Sequence, residues 1–476
     1  TILQNKIFYL NLYKDNYIDK NRIYTLTKKI NENLHFKFGI KNLYHRMIFT
    51  AAALVSERYG ADLNGIKNRG YEVFRNVIRD TIQKSLEDNK KQNMKLDILM
   101  EVYIDIKMNI VENKEAINDF IDCVIEISDS VNSDNWNGED VMGIFFNEFN
   151  RYKKKSESGQ VFTPDHITSL MYKILEVNAN DKILDAACGS GAFLVKSMSN
   201  MIKEVGGINT KEAKKIKEHS LFGIEFDREI FALACANMMI HKDGKTNLEQ
   251  LDSRDKEASE WIKSKGITKV LMNPPFERKY GCKKIVENVL NSVPSGIKCA
   301  FIMPEKKMEK DKMGKLLEKH HLEAIIKLPE KLFDAGVTTS IYVFETGKKQ
   351  VGEIYGCYIE DDGLERVKNQ GRQDIKDKWM ELENYWVDSI RKRNDTKYGT
   401  SQWIDPKKFL SYQKPKAEFV LYEEDFVKTM MNYLMFKNKI DVKEFSDKLI
   451  NKTLYNSEIL KEDNNIVIKI KDAEDE

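Results

Sequence analysis

The sequence predicts an α/β protein, a doubly wound sheet preceded by an α-helical domain and followed by a partly helical appendage. Three observations predict it. The chain of 476 residues holds eight prolines, and the first is Pro164, so nothing before it interrupts helices in the way proline does. Beyond that point, apolar runs of strand length alternate with helical patterns, as in a sheet whose strands are joined by crossover helices. A glycine turn, Asp185-Ala186-Ala187-Cys188-Gly189-Ser190-Gly191-Ala192-Phe193, follows the first of these runs and opens a helix.

Length and composition set the frame. A chain of 476 residues predicts two or three compact units, and 41% hydrophobic with 32% charged residues describes a globular protein rather than a disordered or fibrous one. The net charge of +2 argues neither for nor against a nucleic-acid partner, because a local basic patch can hide in a neutral total. Six cysteines show neither a CxxC pair nor a cysteine/histidine cluster at metal spacing. Reduced thiols, no structural metal and a cytoplasmic location are therefore expected. No apolar run approaches the roughly 20 residues of a membrane span, and no signal-peptide pattern opens the sequence. The abundance of Lys, Asn and Ile fits an AT-rich bacterial genome.

The elements follow in order. Residues 1–150 read as helical, with Met47, Ala51, Leu54 and Val55 on one face and Val73, Val77, Ile78 and Ile82 on another. The stretch from Leu96 to Met108 alternates like a strand, yet Leu96, Leu99, Tyr103, Ile106 and Ile110 fit a helix, which is the reading adopted. The polar run Arg151 to Gly159 links to residues 151–407, where strands are expected at Ile183-Leu184, Leu221 to Ile224, Val270 to Met272, Cys299 to Met303, Ala324 to Leu328, Ser340 to Phe344 and Gly352 to Ile359. Residues 408–476 read as an appendage with helices around Glu424 to Lys437 and Val442 to Leu454.

Several side chains carry chemistry. Gly189 and Gly191 permit the tight turn and close backbone approach that a nucleotide-like ligand needs at the first strand of a Rossmann-like sheet. Asp185 beside that turn repels pyrophosphate and suits a cationic sulfonium and ammonium instead. Glu225, at the end of the second strand, is placed to accept hydrogen bonds from both ribose hydroxyls, while Asp227 reads as a helix cap. Asp252, followed by Ser253, sits where a third strand should end and is either a ligand for an adenine amine or a plain loop acid. Upstream, Thr163 or Asp165 caps the helix after Pro164, and Phe162 and Thr163 can also cover the amino-acid end of a cofactor.

The sharpest element is Asn273-Pro274-Pro275-Phe276, directly after the apolar run Val270-Leu271-Met272. The lone pair of an aromatic amine is delocalised into its ring, so the nitrogen is a poor nucleophile. The Asn273 side-chain carbonyl and the Pro274 backbone carbonyl could accept its two hydrogens and turn the lone pair towards a methyl donor. Two prolines stiffen the acceptors, and Phe276 can stack on the base for roughly 1 to 3 kcal/mol. Arg278, Lys279 and Lys283, just downstream, are either phosphate contacts or a solvated loop.

Taken together, Phe162-Thr163-Pro164, Asp185 to Phe193, Glu225 and Asn273 to Phe276 resemble the N6-adenine DNA methyltransferases of restriction-modification systems, specifically type I modification subunits, in gamma-class motif order. Phe301 to Pro304, Ile326 to Pro329 and Gly336 to Ser340 extend the likeness across roughly residues 147–346. Phe276 stands where many relatives carry tyrosine. The resemblance implies a Rossmann-like methyltransferase sheet that binds S-adenosyl-L-methionine through Gln160, Phe162, Thr163, Pro164, Asp185, Ala187, Gly189, Gly191, Phe193, Glu225, Asp252 and Ser253. It also implies catalysis by Asn273, Pro274, Pro275 and Phe276 on an adenine flipped from duplex DNA, with phosphate contacts at Arg278, Lys279 and Lys283. The implied partners are a separate specificity subunit, served by two modification subunits, and a restriction subunit. Residues 1–150 would clamp DNA and residues 408–476 would dock the specificity subunit. The chain length is expected to exclude a fused nuclease. The rival readings are a protein glutamine methyltransferase, a cytosine-N4 enzyme (where serine usually opens the tetrapeptide), a non-catalytic cofactor-binding scaffold, and a nuclease using Asp105-Ile106-Lys107.

Overall fold

The computed structural model describes residues 20–88, 93–107, 109, 112–132, 141–149, 152, 162–241, 247–276, 281–309, 314–330, 332–333, 337–368, 371–415, 422–455, 457–462 and 465–470. The chain divides into two compact units, Thr1–Gln413 and Lys414–Glu476. The helical region and the sheet thus belong to one unit, and the second begins six residues after the expected boundary at Lys408.

In the first unit, helices α1 (Lys20–Glu32), α2 (Leu43–Arg58), α3 (Tyr71–Asp88), α4 (Asn93–Asp105), α5 (Lys114–Asn132) and α6 (Val141–Phe149) build the helical region. The ambiguous stretch after Leu96 is helical and stops at Asp105, where strand-like alternation and helical spacing had competed. Next come α7 (Asp165–Ile174), β1 (Ile183–Asp185), α8 (Ala192–Glu204), α9 (Lys211–His219), β2 (Leu221–Ile224), α10 (Arg228–Ile240), β3 (Asn247–Glu249), α11 (Lys256–Lys263), β4 (Lys269–Met272), α12 (Cys282–Ser292) and β5 (Lys298–Pro304). Strands β6 (His321–Lys327), β7 (Thr339–Glu345) and β8 (Ile354–Tyr358) continue the sheet. A small hairpin of β9 (Glu365–Val367) and β10 (Gly371–Gln373), helix α13 (Trp379–Lys392) and β11 (Ser401–Ile404) complete the unit.

Among the described residues the main sheet has nine strands in the order β11-β8-β6-β7-β5-β4-β1-β2-β3. Strands β3, β2, β1, β4 and β5 run parallel. Strand β7 enters antiparallel between β5 and β6, pairing Met303 with Ser340. Parallel strands are buried on both faces, which is why they read as continuous apolar runs. The period of two still sorts their side chains. Ile183, Leu271, Ala300 and Ile302 belong to a core shared with the helical region, while Leu184, Val270, Met272 and Phe301 face a second core with α11 and α12.

Helix α10 joins the two regions. Its sequence, Ile230 to Ile240, is buried on every side, as expected of a helix without a solvent face. It packs against α2 and α4 of the helical region. Polar contacts at its start reinforce the packing: His45 Nε2 and Glu229 Oε1 lie in hydrogen-bonding contact at 3.2 Å, and Arg228 forms an ion pair with Glu101.

Unit two holds α14 (Glu423–Lys437), α15 (Val442–Tyr455) and an antiparallel hairpin of β12 (Ser457–Glu462) and β13 (Asn465–Ile470). Its two helices match the expectation; its hairpin was not expected. No described helix is long and apolar enough to cross a membrane. All six cysteines are buried and none forms a disulfide, and no group of potential metal ligands occurs among the described residues.

Candidate active site

In an open α/β sheet, ligands settle outside the carboxyl ends of the strands where the strand order reverses. Here that point lies between β1 and β4, because β2 and β3 extend to one side of β1 and β5 lies beyond β4 on the other. A pocket opens there, lined by the turn after β1, by Glu225 to Asp227 after β2, by Leu251 to Arg254 after β3, and by Asn273 to Phe276 after β4. Phe162 and Thr163 complete the wall. Residues 110 positions apart in the chain are thereby brought into hydrogen-bonding contact.

The turn is built by its glycines. Gly189 at φ 55° and Gly191 at φ 90° occupy the left-handed region, where a side chain would be strained. A Cβ on Gly189 would meet nothing within 4 Å, so the backbone there faces open space. Asp185 is buried and accepts a hydrogen bond from the Ala187 amide at 3.1 Å. Burial, and then the charge of Glu225, push its carboxyl well above the usual range, against the Ala187 amide. Glu225 is half-buried and lines the pocket. It accepts from the Gly189 amide at 3.0 Å and the Asp227 amide at 2.9 Å. Burial pushes it up to about 7 despite those two amides. Two crowded carboxylates therefore face one pocket, an arrangement that a cation or hydroxyl donors would relieve.

Asp227 does cap α10, accepting from the Glu229 and Ile230 amides. The cap expected of Thr163 or Asp165 on α7 does not form. Pro164 holds that position, Asp165 instead pairs with Lys196 at 2.8 Å, and the Thr163 hydroxyl is engaged elsewhere. Asp252 lines the pocket but is already bridged by Arg254, whose Nε lies 2.7 Å and 3.0 Å from its two oxygens. The Ser253 hydroxyl donates to the Ala186 carbonyl, tying the third loop to the first.

In the tetrapeptide after β4, Asn273 Nδ2 donates to Thr163 Oγ1 at 3.0 Å. Asn273 Oδ1 is buried and has no partner among the described residues. Phe276 is half-buried and packs edge-on against Phe333, with ring centroids 5.5 Å apart. Phe162 stacks on Phe146 of α6 at 3.9 Å.

Of the expected site residues, Phe162, Thr163, Asp185, Ala187, Gly189, Phe193, Glu225, Asp252, Ser253 and Asn273 to Phe276 all line the one pocket. Gly191 and Pro164 do not line it; they are the N-cap residues of α8 and α7. Lys283, in the first turn of α12, pairs with Glu287 at 3.2 Å. Gln160, Arg278 and Lys279 lie outside the described residues. Asp105 ends α4 and sits 3.8 Å from Arg228. Sequence reasoning missed Phe226, Ile230, Leu251 and Ile285, which give the pocket an apolar side, and Arg254, which lines it beside Asp252. The available signal was Phe226, a large aromatic directly after Glu225 that is 57% exposed.

The sheet and its pocket define a Rossmann-like α/β architecture with its pocket at the switch point of the strand order. Residues 137–298 match the N-6 DNA Methylase family. Every residue that lines the pocket falls within this matched stretch. The Type II restriction enzyme and methyltransferase RM.BcgI of Heyndrickxia coagulans is 30% identical over 340 residues, 66% of this chain and 51% of that protein. The Type I restriction enzyme MjaVII methylase subunit of Methanocaldococcus jannaschii is 24% identical over 321 residues, 56% of this chain and 53% of that one. The chain spans about half the length of these curated relatives. A solved type I restriction-modification methyltransferase subunit from Streptococcus thermophilus shares the fold, with a TM-score of 0.53 at 15% identity over 81% of this chain and 96% of that chain.

Proposed function

We propose that the chain is the modification subunit of a type I restriction-modification system, methylating the exocyclic N6 amine of an adenine flipped out of duplex DNA. One observation carries the chemistry: Asn273 presents a buried side-chain carbonyl with no partner among the described residues, at the mouth of a strand that opens on the pocket. An unsatisfied buried acceptor costs about 1 to 3 kcal/mol, a cost that a donor in the bound substrate would remove. A base amine has two hydrogens. One suits Asn273 Oδ1 and the other the Pro274 carbonyl, and drawing on both frees the nitrogen lone pair. Phe276 supplies the stacking surface, with Phe333 bracing it from the side. Because a base inside the duplex cannot reach such a pocket, the nucleotide must rotate out.

The pocket fits S-adenosyl-L-methionine by its donor set. Asp185 suits the cationic end, Glu225 the ribose hydroxyls, and Phe226, Leu251 and Ile285 the faces of an adenine. Asp252 can take the adenine amine on the oxygen capacity that Arg254 leaves. When bound, the cofactor supplies a methyl group made electrophilic by its sulfonium.

Sequence recognition is assigned to a separate specificity subunit, with two modification subunits serving one such partner and a restriction subunit joining them. The second unit supports a docking role, because Phe426, Met430, Met431, Tyr433, Leu434 and Phe436 of α14 are all exposed within it. The helical region would embrace DNA, and the complex would work in the cytoplasm. The likeness to RM.BcgI, whose name joins restriction and methylation, favours a second reading, in which this chain serves a combined enzyme.

Two measurements test the proposal. Nucleoside mass spectrometry of DNA treated with the protein and labelled cofactor, with and without the neighbouring gene's product, should show N6-methyladenine chiefly when the partner is present. Site-specific methylation by the chain alone would overturn the subunit assignment, and N4-methylcytosine would overturn the base. Asn273→Ala should keep cofactor affinity and lower methyl transfer by about a hundredfold or more; retained transfer would defeat the amine grip.

A further inference from the structure

Thr163 was expected to cap a helix or to cover the cofactor, and the structure gives it a different partner. Its hydroxyl oxygen accepts a hydrogen bond from Asn273 Nδ2 at 3.0 Å, while α7 starts without any side-chain cap. The other end of the same amide, Oδ1, is buried and unpartnered.

An asparagine amide is asymmetric: its nitrogen only donates and its oxygen only accepts. Turned by half a rotation, Asn273 would offer N–H groups to an incoming amine, donor against donor, and the grip would become a repulsion. Something must therefore set the amide's direction before the base arrives. Terminal torsions of this kind are broad and roughly two-fold, so the side chain's own rotamer preference does not set it.

Thr163 is suited to that task by what holds it. Phe162 stacks on Phe146 with the two rings 19° from parallel. On the other side, the ring of Pro164 fixes its own φ, at −59°, and restricts the residue before it. The hydroxyl thus stands between two immobilised neighbours. We infer that Thr163 is a positioning residue for methyl transfer, accepting from Asn273 Nδ2 so that Oδ1 is kept free for the substrate amine. The inference rests on the amine-methylation reading above and adds a specific determinant to it.

The test compares Thr163→Val, which keeps shape and removes the hydroxyl, with Thr163→Ser, which keeps the hydroxyl and removes the methyl group. Each is assayed in the full chain together with its specificity partner. Single-turnover methylation by Thr163→Val should fall by about tenfold or more, with cofactor affinity by calorimetry within about twofold of wild type. Thr163→Ser should recover most of the rate. In the Asn273→Ala background, Thr163→Val should cause no further loss, because the group it orients is gone.

Unchanged turnover in Thr163→Val would overturn the inference, as would a loss confined to cofactor affinity, which would return Thr163 to the cofactor's side. A further loss in the Asn273→Ala background would also overturn it, by showing an effect that does not pass through the amide. If wild type forms no methyladenine, the functional reading itself fails, an outcome distinct from an active wild type that ignores the substitution.

Discussion

Glu225 should make cofactor binding pH-dependent in a range where few carboxylates titrate. In the unliganded pocket burial raises it to about 7. Ribose hydroxyls donate hydrogen bonds and the sulfonium carries positive charge, so both favour the ionised form, and binding selects the deprotonated protein. The apparent dissociation constant then scales as one plus the ratio of protonated to ionised Glu225. That factor is about 11 at pH 6 and about 1.1 at pH 8, so affinity should weaken about tenfold on acidification between them. Calorimetric titration with S-adenosylmethionine at several pH values reads this directly. Glu225→Gln should flatten the profile and bind weakly throughout. The raised value also has a consequence for folding. A carboxyl that holds its proton more tightly when folded favours the folded state most below its ordinary range, near 4.5, and that contribution is lost as pH rises towards about 7. Cofactor binding should therefore raise the melting temperature more at pH 8 than at pH 6. An affinity that does not change from pH 6 to pH 8, or an unchanged slope in Glu225→Gln, would refute the role assigned to this carboxylate.

Two further outcomes are expected. Phe276→Ala should weaken binding of a DNA duplex carrying an unpaired target adenine by about 1 to 3 kcal/mol in a fluorescence titration, whereas Phe276→Tyr, which keeps the ring, should bind as wild type. Asp362→Ala should destabilise the first unit by about 3 kcal/mol in urea denaturation, because Asp362 is fully buried between Arg372 and His166 and its loss strands both. Burial alone would raise the Asp362 carboxyl, but hydrogen bonds from His166 and Arg372 hold it down to about 2, so its contribution should persist above the ordinary carboxylate range and disappear as pH falls through about 2.

The buried parallel strands were legible because burial on both faces leaves an unbroken apolar run, as at Leu221 to Ile224 and Val270 to Met272. What escaped was short, exposed or at an edge. Strand β3 has only Leu248 fully inward, and β12 holds just two apolar residues, the adjacent Ile459 and Leu460, between polar ones. Helix α13 carries its buried side chains, Trp386, Val387 and Ile390, among charges that hide its face. At the site, Asp185, Glu225 and Asn273 were readable because each ends an apolar run, where the carboxyl edge of a sheet collects ligands. The Thr163 to Asn273 bond was not readable, since no local pattern encodes a contact across 110 residues. Arg254 escaped for a related reason. Nothing in the local sequence singles it out, and only the fold shows that it bridges Asp252 within the pocket.

The helical region and Asn273 are joined by a short run of contacts. Helix α6 offers Phe146, which stacks on Phe162; the next residue, Thr163, holds the Asn273 amide. On the opposite side of the pocket, α10 begins just after Glu225 and packs against α2 and α4 of the same region. The helical region therefore braces both halves of the site, the amide that would grip the base and the acid that would hold the ribose. Such bracing matters because Asn273 Oδ1 is left buried and unsatisfied, a state that relaxes unless neighbours oppose it. If the amide could swing freely, it would turn to find a partner and lose the acceptor. The rigidity that maintains an unpaired acceptor is thus drawn from the core that the helical region and the sheet share within one compact unit.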